Sequence, residues 1–250
     1  MAMARQAERG RTGPAGPGEP PAAASTASGR WAGLLLLAGG ILAAASTALH
    51  PVTLDPADAA AVLDAVRRAP LRWIAVHGGL GFGVAAWSLG WYLVYQALRE
   101  AGRVGLSGAG AMLAAVALAV WLPLLALEAA GLPLLARSTP AGQSPSWFTV
   151  AWPATLAGGY VATWLYWLAG IAAAWDLAAA GTRVPGLPRV SLGLALAALL
   201  PGLPGMVVAW LLPELAVPVL LVSLVPGALW ALIVAWRLVS PGPHGRTGRR

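Results

Sequence analysis

Cysteine is missing from all 250 residues, and with it go disulfides, thiolate metal sites, iron–sulfur clusters and cysteine nucleophiles. Redox chemistry would need a bound cofactor. Lysine is missing too, so all 16 basic residues are Arg. Charge of either sign is scarce, at 10% of residues against 58% hydrophobic, which excludes a soluble domain of ordinary composition. Such a chain belongs in a lipid bilayer. The formal net charge of +7 would suit nucleic acid, yet the Arg residues lie mostly beside apolar runs. Membrane orientation accounts for them, and no nucleic-acid partner is expected. Arg without Lys, together with 31 Gly and 21 Pro, carries the stamp of a GC-rich genome, and the expected location is a bacterial inner (plasma) membrane.

Familiar catalytic signatures are also lacking. There is no H-E-x-x-H, no paired intramembrane Asp, no P-loop and no internal repeat of the transporter kind. Ser107, in Gly105-Leu106-Ser107-Gly108, has a nucleophile-like setting, but the expected topology puts it a membrane away from His50 and His77. The run from His77 to Gly83 is Gly-rich without the G-x-G-x-x-G spacing or a strand before it. Gly79 and Gly83 instead form a G-x-x-x-G pair, whose bare backbone lets a second helix approach closely.

What the chain does have is long apolar runs. Residues 1–30, rich in Gly, Pro, Ala and Ser, read as a disordered cytoplasmic tail. Runs then follow at Trp31–Leu49, Leu71–Leu98, Leu106–Leu135, Trp147–Ala180, Val190–Leu212 and Leu215–Val239. The first could be a signal-peptide core, since Ser46-Thr47-Ala48 offers a small-x-small cleavage pattern, but its length suits a span. The expected fold is therefore all-α: a polytopic bundle of six transmembrane helices over residues 31–239, ending in a basic cytoplasmic tail at 240–250. The second, third and fourth runs exceed the hydrocarbon core and should tilt, kink or project beyond it, with Pro123 and Pro133 as kink sites.

Alternate connections divide the Arg residues unevenly. Arg5, Arg9, Arg11, Arg30, Arg99, Arg103, Arg183, Arg189, Arg237, Arg246, Arg249 and Arg250 fall on one side, and Arg67, Arg68, Arg72 and Arg137 on the other. The first set marks the cytoplasmic face, so both termini are expected there, and Trp31, Trp236, Trp73, Trp147, Trp152 and Trp210 form an aromatic belt. The largest external loop, His50–Pro70, should carry an amphipathic helix at 55–69, with Asp55 as N-cap, Asp58 at N3 and Asp64 paired with Arg68. Its apolar side, Leu54, Val62, Leu63 and Val66, would either lie flat on the membrane or pack as a connector.

Ionisable residues near a span need a reason, because a central charge costs about 2.5–3.5 kcal/mol on insertion scales. His77 should lie roughly 9 Å below the outer end of the second span, at 1.5 Å per residue. Glu128 approaches the same depth on the third, His50 closes the first, and Glu214 sits in the last external turn. Two readings are open for His50, His77, Glu128 and Glu214: an outer-face polar site for a proton or cation, or groups satisfied by headgroup water. His50 and His77 could also be axial ligands of a haem b, whereas metal binding by His50, His77 and Glu128 lacks diagnostic spacing. On the fourth span Tyr160, Trp164, Trp167, Ile171 and Trp175 share a face that could stack a quinone or pack on neighbouring helices. Asp176 is expected to pair with Arg99, Arg103 or Arg183.

Three functions fit this sequence. The leading one is a non-enzymatic accessory subunit or small transporter-like protein, with other membrane subunits or copies of itself as partners besides lipid. The others are a haem- or quinone-binding redox subunit and an outer-face sensor or proton-linked carrier.

Overall fold

The computed structural model describes residues 22–51, 56–103, 105–180, 187–188 and 190–240, and all regular elements among them are helical. They are α1 (Ala22–Ala48), α2 (Ala59–Arg68), α3 (Pro70–Glu100), α4 (Ser107–Ala126), a π-turn (Leu127–Gly131), α5 (Leu132–Ser138), α6 (Ser146–Ala180), α7 (Leu192–Leu199), α8 (Gly202–Leu211), a 3-10 turn (Pro213–Leu215) and α9 (Ala216–Val239). Five helical segments, Ser28–Ala48, Ser107–Ser138, Ser146–Ala180, Leu192–Leu211 and Pro218–Val239, are long and apolar enough to cross a membrane. That is one fewer than the six expected. The helix that falls short is α3, which has the length but is diluted by Arg72, His77 and a series of glycines.

Those glycines have a packing reason. α3 runs between α1, α4 and α6, and at α1 the two backbones nearly touch. A Cβ built on Gly39 would lie 2.6 Å from the Gly83 carbonyl oxygen, and one on Gly83 would lie 2.9 Å from the Ala43 nitrogen. Backbone cannot give way as a side chain can, so both positions require glycine. Gly79 faces the Ser46 hydroxyl of α1, so the G-x-x-x-G pair serves helix packing.

Several boundaries differ from expectation. α1 is already helical at Ala22, the first residue described, and so reaches back before Trp31, over a run Ala22–Ala24 that favours helix. Residues 1–21 and 241–250, which hold most of the two expected tails, lie outside the described residues. The fifth run is broken at Pro201, which cannot donate a backbone hydrogen bond, so α7 ends and α8 starts afresh. In the third run the break between Pro123 and Pro133 is a widened π-turn, a recognised cause of helix deviation.

The helix after the first span begins later than expected. Asp55 lies outside the described residues, and Asp58 is the N-cap, accepting from Ala60 N at 2.9 Å and Ala61 N at 3.0 Å. Asp64 pairs with Arg67, three residues on, and not with Arg68. Arg67 has that geometry because its guanidinium also reaches the carbonyls of Ala136 at 3.1 Å and Thr139 at 2.7 Å. Asp64 in turn accepts from Gly142 N at 3.2 Å. This backbone N–H, and then Arg67, hold the Asp64 carboxyl below its usual range. The apolar side of α2 does not lie on lipid. Val62, Leu63 and Val66 are buried against Trp73, Leu132, Phe148 and Trp152, in a cap that α2 builds with the start of α3, α5 and the start of α6.

A second core lies at the opposite end. Ala32 and Leu36 of α1, Val94 and Leu98 of α3, Leu177 of α6 and Val234 of α9 meet there. Gly90 lies against Leu36, and Gly33 against Leu238. The N-terminal part of α1 therefore shares this end with the C-terminal parts of α3 and α9, which bring Arg30, Arg99 and Arg237 to one side.

Candidate functional site

Three of the four residues singled out for an outer-face site come together between the cap and the bundle. α1 ends at Ala48 and the chain turns at His50, close to the first turns of α3. Arg72 fixes that turn by donating from Nε to the Leu49 carbonyl at 2.6 Å. His77 lies two turns into α3, and Glu128 is carried by the π-turn of the third run. His50 Nε2 lies 3.1 Å from His77 Nε2, and the same His77 Nε2 lies 3.1 Å from Glu128 Oε2. The His77 side chain is 3% exposed and that of Glu128 13%. Glu214 takes no part: it is exposed in the turn between α8 and α9.

The tautomers follow from the outer ring nitrogens. His77 Nδ1 is 2.8 Å from the Trp73 carbonyl, and His50 Nδ1 is 2.8 Å from the Pro51 carbonyl. A carbonyl oxygen only accepts, so each Nδ1 carries the hydrogen and each neutral ring turns a bare Nε2 lone pair inward. Two lone pairs and a carboxylate oxygen would then face one another in a nearly dry space. One further proton removes the conflict. Placed on His77 Nε2 it lies between the Glu128 carboxylate and the His50 lone pair, both of which accept. Burial, and then the neighbouring His77, push the His50 imidazole below its ordinary value of 6.5. His50 therefore resists a second proton.

Trp73, read from the sequence only as part of an aromatic belt, touches all three residues. Its ring stacks on His77 with centroids 4.4 Å apart and planes at 26°, and it lies 5.1 Å from the His50 ring. Its indole N–H donates to the Glu128 carbonyl at 2.9 Å. That carbonyl is free for a local reason. In the widened turn Leu132 N–H goes to the Leu127 carbonyl, and the next residue in line for Glu128 is Pro133, which has no N–H. A proline five residues after the acid was the sequence signal for this contact, but it has meaning only once the turn is known to be widened.

The pair does not suit a haem. Axial imidazoles on opposite sides of an iron would set their Nε2 atoms about 4 Å apart with a macrocycle between, given metal–imidazole bonds of about 2 Å. Here the two nitrogens are in direct contact at 3.1 Å, with the rings edge to face at 68°. Among the described residues no group of three or more His, Cys, Asp and Glu side chains is arranged to hold a metal ion.

The other sequence candidates divide. In the fourth-span stripe, Tyr160 and Trp164 line an apolar groove of about 240 Å³ with Met206 and Trp210, whereas Trp167 and Ile171 pack on the core shared by α1, α3, α6 and α9. Among the described residues Asp176 forms no ion pair with Arg99 or Arg103. Its carboxylate caps α4, accepting from Leu106 N at 3.1 Å and Ser107 N at 2.7 Å, because a helix start needs acceptors for its free N–H groups. Arg183, one of the proposed partners, lies outside the described residues. Among the described residues the buried Ser107 hydroxyl has no hydrogen-bond partner, and His50 and His77 meet each other elsewhere, at the Glu128 site. Compared with known protein families, curated proteins and solved structures, the chain shows no significant match to any.

Proposed function

We propose that this is a six-span membrane protein whose His50–His77–Glu128 site, at the outer face, binds a proton and makes the protein a proton sensor or proton-linked carrier. The observation that carries the reading is the meeting of two imidazole Nε2 atoms at 3.1 Å, one of them also 3.1 Å from a carboxylate, with both Nδ1 hydrogens committed to carbonyls. With one shared proton the group is neutral overall. Losing that proton leaves a net negative charge among unpaired acceptors, and gaining a second leaves a net positive charge, both costly away from water.

Support for α3 as the sixth span comes from its 31-residue length and its place between α1, α4 and α6, where His77, Gly79, Gly83 and Gly90 face protein instead of lipid. Arg30, Arg99 and Arg237 at the opposite end support a cytoplasmic inner face. No part of this reading calls for catalysis, and it keeps the chain among non-enzymatic transporter-like or accessory proteins.

Proton uptake by the purified protein in lipid nanodiscs tests the reading. A pH-indicator titration should register an uptake step in the wild type that both His77→Ala and Glu128→Gln lose. Uptake unchanged in both variants would refute it. The absence of cysteine makes the topology equally accessible: Arg68→Cys and Ala101→Cys should react with an impermeant maleimide from opposite sides of the membrane.

A further inference from the structure

We propose that Trp73 is the positioning residue of the proton site and that its indole face favours the protonated state; this inference rests on the reading just given. No other side chain is tied to all three members of the site in the described contacts, and Trp73 does so while only 2% exposed. Each contact has a separate consequence. The Trp73 carbonyl holds the Nδ1 hydrogen of His77 and so keeps Nε2 directed at His50 and Glu128. The indole N–H takes the Glu128 carbonyl that Pro133 leaves without a donor, which fixes the turn carrying the carboxylate. The ring face covers His77 at 4.4 Å, within the range over which an aromatic face attracts a cation. That attraction acts on imidazolium and not on imidazole, so it strengthens proton binding at His77 specifically.

The charged and titratable surroundings leave this assignment room to act. His50 approaches from the chain after α1, Glu128 from the π-turn, and Arg72 from α3 itself, where Leu49 holds it. On α2, Asp64 and Arg67 are engaged with each other and with the 136–142 segment. On α6, Tyr166 donates to the Val84 carbonyl, two turns below His77, and on α5 Arg137 is exposed.

Two substitutions separate the contacts. Trp73→Phe keeps an aromatic face and loses the N–H; Trp73→Leu loses both and keeps the carbonyl. Proton uptake in nanodiscs should shift to lower pH in the order wild type, Trp73→Phe, Trp73→Leu, with the Leu variant binding the proton about tenfold more weakly, a fall of roughly one pH unit in midpoint. Trp152→Leu is the control for damage to the cap. Its indole donates to the Pro56 carbonyl at 2.7 Å in the same hydrophobic cluster without touching either histidine, and its midpoint should match the wild type. Unmoved midpoints in both Trp73 variants, or an equal shift in Trp152→Leu, would overturn the role given to Trp73 while leaving the proton site intact. A wild type with no uptake step removes the site itself and the assignment with it.

Discussion

At the end of the bundle that holds Arg30, Arg99 and Arg237, α1, α3, α6 and α9 meet through Ala, Leu, Val and Trp, and glycines bring backbones together with no side chain between them. At the other end, α2, α5 and the start of α6 add a cap that joins a hydrophobic cluster to polar attachments: Arg67 to two carbonyls, Asp64 to Gly142, Trp152 to Pro56 and Trp73 to Glu128. The first arrangement depends chiefly on shape. The second adds donors and acceptors, among them the two imidazoles and the carboxylate of the proposed proton site. Stability and responsiveness are thus assigned to different ends of the same helices, with α1 and α3 reaching both.

Substitution at the close contact should separate the two ends most strongly. Gly83→Leu forces a side chain against the Ala43 and Gly39 backbones, and overpacking of this kind should cost about 3 kcal/mol. Thermal unfolding in detergent should show a large loss at every pH. Asp176→Ala comes next: it leaves two N–H groups at the start of α4 without their acceptor and should cost about 2 kcal/mol. A smaller effect is expected from Arg67→Ala, about 1 kcal/mol, read as faster hydrogen exchange in α2 with the core shared by α1, α3, α6 and α9 unchanged. Smallest and opposite in sign is Gly78→Ala, where a new Cβ meets nothing within 4 Å, so removing a helical glycine should stabilise by about 0.5 kcal/mol.

The pH dependence sharpens the same comparison. An imidazole held below its ordinary value of 6.5 binds fewer protons in the folded protein than in the unfolded chain, so stability rises with pH through that interval. Stability should accordingly fall as pH drops below 6.5, and His50→Gln should flatten the slope. Accelerated exchange on acidification should appear around α2 and the π-turn and spare the α1–α9 contact. Uniform acceleration over both ends would break the distinction.

Much of this was legible in the sequence. Apolar run lengths located the helices to within a few residues, except where α1 extends to Ala22 and where Pro201 splits the fifth run. Depth counting brought His50, His77 and Glu128 to one level, but depth alone also included Glu214, since counting along a helix gives no azimuth. The role of Trp73 could not be read because it depends on the π-turn, and a hydrogen-bond register five residues long has no hydrophobic signature. The capping role of Asp176 was not legible because a carboxylate near Arg residues looks the same in sequence whether it meets a cation or a helix start.

With three histidines in the chain, selective 15N-histidine labelling gives a direct view of the ring protons. The decisive measurement is the ring 15N spectrum of the protein in lipid nanodiscs across pH, alongside Glu128→Gln. The account predicts that His50 and His77 both keep Nδ1–H in the neutral range, that their Nε2 signals move together as one proton enters, and that this coupled step disappears in Glu128→Gln. Two rings titrating independently near 6.5, unaffected by Glu128→Gln, would contradict it.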